Sequence, residues 1–153
     1  MNIQGDEPFL HKESLKQLLD AFYSADGKTV QVASLMRVIN NEEMINNPNC
    51  VKVVVDKNMN SLLFSRSAIP YLRDVQSNAT YYQHIGIYAF RKNALMTFTN
   101  WELTPLEAAE KIECLRYLEH GIPLKMVITS YNNIAIDTPD DLIKARELYL
   151  KSL

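Results

Sequence analysis

Apolar residues recur along this chain in two rhythms, and the switches between them predict its elements. Over residues 11–25, Leu15, Leu18, Leu19 and Phe22 fall at helical spacing, and Asp26-Gly27 marks the stop. Residues 30–39 read as a strand. Asn40, Asn41, Asn46, Asn47, Pro48 and Asn49 mark a long polar connection, with one helical turn at 42–45. Val51-Lys52-Val53-Val54-Val55 and Leu62-Leu63-Phe64 are strands around a turn-rich 56–60, which predicts a β-hairpin with a longer loop. Residues 65–80, with Arg66, Pro70, Arg73 and Asp74 among small polar residues, form the least regular stretch.

The next strand, 81–90, alternates cleanly. Ile85, Ile87 and Ala89 face one way, and His84, Gly86, Tyr88 and Phe90 the other. A short helix follows at 92–98. Thr104-Pro105-Leu106-Glu107 has the form of a capping box with proline at the first helical position, so a single helix is expected from there to the Gly121 stop. Residues 124–129 read as a strand. Thr138-Pro139-Asp140-Asp141 repeats the start signal ahead of a final helix to about residue 150. Strands and helices alternate at both ends around a central hairpin, so the fold class is α/β with a mixed, mainly parallel sheet.

At the start, Met1-Asn2-Ile3 is a strand end running into the acidic, proline-stopped turn Gln4-Gly5-Asp6-Glu7-Pro8. Asp6 then lies beyond the carboxyl end of a strand, where open α/β sheets gather their ligand chemistry. A strand with nothing ahead of it carries the expectation that the start of the domain precedes these residues.

Composition narrows the classes. The chain has 153 residues, 47% hydrophobic and 22% charged, enough for one domain with a core. Its net charge of -2 and the lack of any basic run longer than Arg91-Lys92 argue against nucleic-acid binding. Cys50 and Cys114 are far apart and in no metal-type spacing, which excludes a disulfide framework and a zinc site. No run approaches the about 20 apolar residues of a membrane helix. Gln4, Asp6, Glu7, Lys12 and Glu13 interrupt any signal-type stretch, so a cytoplasmic location is expected. Ser-His-Asp order, Walker-type glycine loop and HExxH are all missing from a chain with 4 glycines.

Several residues remain as candidates. Asp6 and Asp137 have matching contexts, each after an extended apolar segment and before a turn. Two carboxylates at strand ends suit Mg²⁺, which takes one or two carboxylates together with substrate phosphates; dipole and capping roles explain acidic residues at such places equally well. His84 and Tyr88 share a strand face with Gly86 between them, leaving room for a ligand, although a polar strand face can equally be solvated. Arg66 and Arg73 suit carboxylate or phosphate capture, or simple solvation. Glu113 reads either as a site carboxylate or as an exposed partner of Arg116 or Lys111. Cys114 reads as a packed thiol, and His120 as a charge at a helix C-terminus.

Taken in order, five phrases carry a resemblance. They are Asn2-Ile3-Gln4-Gly5-Asp6-Glu7-Pro8, Phe64-Ser65-Arg66-Ser67-Ala68-Ile69-Pro70, His84-Ile85-Gly86-Ile87-Tyr88-Ala89-Phe90, Asn100-Trp101 through Pro105-Leu106-Glu107, and Ile136-Asp137-Thr138-Pro139-Asp140-Asp141-Leu142. Together they resemble the 3-deoxy-manno-octulosonate (Kdo) cytidylyltransferases, which join CTP and Kdo to give CMP-Kdo and pyrophosphate for lipopolysaccharide assembly. The resemblance runs nearly end to end. It implies a Rossmann-like nucleotidyltransferase fold, Mg²⁺ held by Asp6 and Asp137, and a sugar-acid pocket lined by Gln4, Arg73, His84, Tyr88 and Glu113, with Arg73 on the Kdo carboxylate. It also implies a homodimer formed through the hairpin segment at about 51–80.

The family's phosphate-binding loop has no counterpart here, so residues 1–153 are expected to be one partial domain, inactive alone. Glu113-Cys114-Leu115-Arg116 stands where the family commonly has Glu-Gln-Leu-Arg, placing a thiol where an amide is usual. Two other readings stay open: a non-catalytic sugar-acid-binding or dimerising remnant, and a cytidylyltransferase for another acidic sugar.

Overall fold

The computed structural model describes residues 1–3, 11–74, 76, 78–131, 136 and 139–151. Its strands are β1 (Asn2–Ile3), β2 (Val32–Val38), β3 (Lys52–Val55), β4 (Ser61–Ser65), β5 (Tyr82–Phe90) and β6 (Lys125–Ile128). The helices are α1 (Lys12–Asp20), α2 (Glu42–Asn46), α3 (Lys92–Phe98), α4 (Pro105–Glu110), α5 (Leu115–Glu119) and α6 (Pro139–Lys151). The strands lie in the order β4-β3-β5-β2-β6, with β1 also paired to β5.

The α/β class and the mixed sheet hold. The expectation of mainly parallel pairing does not: among the described strands only β2 and β6 run parallel, and every other pair is antiparallel. β3 and β4 reverse direction because they are joined without a crossover, and β5 lies antiparallel to each of its three neighbours, β1, β2 and β3.

Both faces of the sheet are covered. On one, α1 packs Leu18 against Ala33, Leu35, Ile85, Ile87 and Ala89. On the other, Val32, Met36, Val53, Phe64 and Tyr88 meet Ala94 of α3 and the Ile112–Tyr117 segment. The period-2 alternation expected in β5 therefore separates two cores rather than a core and a solvated surface. It persists through a register shift: Ser34 lies opposite Tyr88 but Leu35 opposite Ile85, so Gly86 and Ile87 are unmatched on β2. An insertion of even length leaves the side-chain parity of a strand unchanged.

The hairpin tip folds across to the far edge of the sheet. The Met126 N–H donates to the Met59 carbonyl at 2.7 Å and the Ser61 N–H to the Leu124 carbonyl at 2.8 Å, closing the sheet over Phe64 and its neighbours. Lys52, the first residue of β3, is fully buried; its Nζ donates to the Asn47 carbonyl at 2.8 Å and the Arg66 carbonyl at 2.6 Å.

The single helix expected from 104 to Gly121 is two. Lys111 adopts φ 54, ψ 47 and ends α4, and α5 starts four residues later at Leu115. Ile112, Cys114, Leu115 and Tyr117 are all buried in one core. On one continuous helix, at about 100° per residue, those four would point around the whole circumference. Breaking the chain brings all of them inward. Nor does the expected capping box form. Both carboxylate oxygens of Glu119 accept from the Leu106 N–H at 3.2 Å, while Glu107 turns away to Arg116.

Candidate functional site

The inner face of β5 builds a cluster around His84 and Tyr88. Their ring centroids are 5.5 Å apart, and the Phe64 ring stands edge-on to His84 at 4.9 Å. Tyr88 in turn stacks on Phe90 at 5.7 Å. His84 is 9% exposed and Tyr88 8%, so these polar side chains are packed rather than solvated. Burial lowers the His84 pKa to about 4, which leaves the imidazole neutral near pH 7.

Burial also pushes the Tyr88 hydroxyl well above its usual range, with the Cys114 and Glu113 charges and a Cys114 hydrogen bond adding to the shift. The Cys114 thiol is raised too, first by desolvation; the Tyr88 hydrogen bond offsets part of this and Glu113 adds to it. Tyr88 is thus a protonated hydroxyl and Cys114 an inert thiol, as its reading as a packed residue expects.

Glu113 lies in the turn between α4 and α5 and is exposed, with its charge felt by Tyr88 and Cys114. It is not the ion-pair partner of Arg116, which binds Glu107 instead through Nε and Nη2, each at 2.6 Å. His120, expected as a helix-end charge, stacks on Trp101 at 3.9 Å and 7°.

The structure thus brings together His84, Tyr88 and Glu113. Arg73 is exposed in the segment after Pro70, and no hydrogen bond or ion pair ties it to the cluster among the described residues. That segment is anchored near β5 by the Tyr81 hydroxyl, which donates to the Pro70 carbonyl at 2.9 Å. Arg66 is not a free surface cation. Its Nε donates to the Glu110 carbonyl at 2.7 Å and its Nη1 to the Pro48 carbonyl at 3.0 Å. Gln4, Asp6 and Asp137 lie outside the described residues. Among those described, no group of three or more His, Cys, Asp or Glu side chains could hold a metal ion, and no helix is long and apolar enough to cross a membrane.

One residue of this cluster was missed in the sequence. Ser34 Oγ lies 3.0 Å from His84 Nε2 and is within 3.1 and 3.0 Å of the Ile85 and Ile87 carbonyls. The available signal was a lone hydroxyl among the apolar residues of β2.

The cytidylyltransferase family pattern matches residues 1–129. The chain belongs to that family. Proteins named 3-deoxy-manno-octulosonate cytidylyltransferase from Christiangramia forsetii and Flavobacterium johnsoniae are each 53% identical to it over 148 residues, 97% of this chain. A namesake from Porphyromonas gingivalis is 44% identical over 160 aligned positions. A solved CMP:2-keto-3-deoxy-manno-octonic acid synthetase, complexed with CTP, superimposes with a TM-score of 0.90 at 35% identity, covering 99% of this chain and 61% of that one. The chain spans about three fifths of these relatives: 60% and 61% of the first two proteins. This chain therefore shares its fold with a CTP-bound synthetase, and His84 and Tyr88 are part of its buried framework.

Proposed function

We propose that this chain is the sugar-acid-binding part of a 3-deoxy-manno-octulosonate cytidylyltransferase, an enzyme joining Kdo to CTP with release of pyrophosphate. The observation that carries this is the buried His84–Tyr88 pair beside Glu113, within a sequence 53% identical to proteins of that name. A polyol acid needs fixed hydrogen-bonding groups of defined polarity in a water-poor pocket. A neutral imidazole, a protonated phenol and a carboxylate supply acceptor and donor sites of that kind. Arg73, on a segment held at Pro70, is assigned to the sugar carboxylate, for which a planar guanidinium is suited.

In this reading Asp6 and Asp137 hold Mg²⁺, and both are hard oxygen donors of the kind the ion takes. When bound, the ion neutralises charge on the phosphoryl oxygens. The residues of this chain hold the sugar so that its hydroxyl meets the α-phosphorus in line with the departing pyrophosphate, and positioning of that kind supplies much of the rate. Residues 1–153 form one partial nucleotidyltransferase domain, and turnover belongs to the longer protein. The exposed Leu62, Leu63 and Tyr71, on β4 and just after Pro70, suit the homodimer contact expected of this segment.

Calorimetry on this chain with Kdo tests the first half. Saturable heat with Kdo, weakened in Glu113→Gln and smaller with sialic acid, is expected; no heat, or equal heat with both acids, overturns the assignment. Pyrophosphate release from the full-length protein with CTP, Kdo and Mg²⁺ tests the second half, and its absence would overturn the activity. Turnover by residues 1–153 alone would overturn the assignment of turnover to the longer protein.

A further inference from the structure

Ser34 sits on β2 opposite Tyr88, where the register between β2 and β5 shifts. Its Oγ has three neighbours at hydrogen-bond distance: the carbonyls of Ile85 at 3.1 Å and Ile87 at 3.0 Å, and His84 Nε2 at 3.0 Å. A serine hydroxyl carries one proton and two lone pairs. Carbonyls only accept, so the one proton is shared between the Ile85 and Ile87 carbonyls at the register shift. If it went to His84 instead, both carbonyl oxygens would face hydroxyl lone pairs at 3.1 and 3.0 Å, a repulsive arrangement in a buried site of low local dielectric. The hydroxyl is therefore an acceptor toward His84, and Nε2 must carry the imidazole proton.

We propose that Ser34 is a positioning residue that locks His84 in the Nε2–H tautomer, so that the sugar-acid pocket presents Nδ1 as a hydrogen-bond acceptor for a ligand hydroxyl. The inference rests on the sugar-acid reading above for the nature of the ligand. Its tautomer half stands on this chain's geometry alone. Among the described residues Nδ1 makes no hydrogen bond, and it is not one of the fully enclosed atoms left without a partner. An acceptor there favours a hydroxyl donor and repels a carboxylate. His84 then reads the polyol part of an acidic sugar, and the carboxylate must be bound elsewhere. The bulge is what couples the two jobs, since re-aiming side chains beside a site is a common use of such irregularities.

Nitrogen NMR of the histidine-labelled chain, free and with Kdo, tests this. Without ligand, the wild type and Ser34→Thr are expected to show His84 Nε2 protonated and Nδ1 unprotonated, whereas Ser34→Ala shows a mixture. A protonated Nδ1 in the wild type, or an unchanged tautomer in a folded Ser34→Ala, overturns the proposal. With Kdo, the Nδ1 resonance of the wild type should shift as it accepts a hydrogen bond, and the shift should be recovered in Ser34→Thr and reduced in Ser34→Ala. Kdo that perturbs Tyr88 and Glu113 but leaves Nδ1 unmoved overturns this inference while sparing the sugar-acid reading. Kdo that perturbs none of them overturns that reading and the ligand half of this inference together.

Discussion

Arg116 grips both carboxylate oxygens of Glu107, Nε to Oε2 and Nη2 to Oε1 at 2.6 Å each, across the break between α4 and α5. The guanidinium also donates through Nη1 to the Trp101 carbonyl at 3.1 Å and lies over the Phe98 ring at 4.3 Å. One side chain thus ties the turn after α3 to both halves of a broken helix, and so fixes the turn that carries Glu113.

Arg116→Ala leaves the Glu107 carboxylate buried without its partner. Truncating one member of a buried pair costs roughly 3 kcal/mol, and that loss is expected in urea unfolding. The double replacement Glu107→Leu with Arg116→Met is expected to recover part of it, because no lone charge then remains buried. A double variant less stable than Arg116→Ala would contradict this account.

His84 gives a pH dependence of definite sign. Its folded-state pKa is lowered by desolvation to about 4 from an unfolded value near 6.5, so between those values the unfolded chain binds more protons. The stabilisation is complete above about pH 6.5 and is lost as pH falls through about 4. The size is roughly 3 kcal/mol at 1.36 kcal/mol per pH unit. Unfolding free energy measured from pH 7 to pH 4 should fall by that amount, and His84→Gln should flatten the slope over this window. A parallel slope in the variant would rule out His84 as its source.

Glu110 adds a second, more acidic window. Desolvation pushes its carboxyl up, but the Ser65 hydroxyl, the Arg66 N–H and the Arg66 and Lys52 charges bring it below its ordinary 4.5. Ser65 Oγ donates to Oε1 at 2.6 Å and the Arg66 N–H to Oε2 at 2.9 Å. Its stabilisation is present above about pH 4.5 and disappears as pH drops through the lowered folded value. Acid titration of Glu110→Gln should show a shallower loss of stability below pH 4.5 than the wild type.

The cysteines should be silent in the folded chain. Cys50 and Cys114 are 2% and 3% exposed, and desolvation raises both thiols. A thiol-specific chromogenic reagent at pH 8 is expected to label neither in native buffer and both in denaturant. Rapid native labelling of Cys114 would mean that the Tyr88–Cys114 contact opens readily.

Local periodicity carried the element types and which β5 residues share a face. The short helix at 92–98 coincides with α3, and the two faces of β5 came out as read because an even register shift preserves parity. What periodicity cannot state is what lies beyond a face. His84 and Tyr88 looked able to meet solvent or ligand, and it is the hairpin and the 112–117 segment that bury them.

Partners far apart in sequence were decided by tertiary packing. Ser34 meets His84 across 50 positions, and Glu107 leaves the capping box for Arg116 because the helix breaks at Lys111. A residue's own neighbours fix its local conformation and the side it turns toward the interior. Whether a buried polar atom donates or accepts depends on which distant groups the fold brings within about 3 Å of it, and that count exists only once the strands have paired.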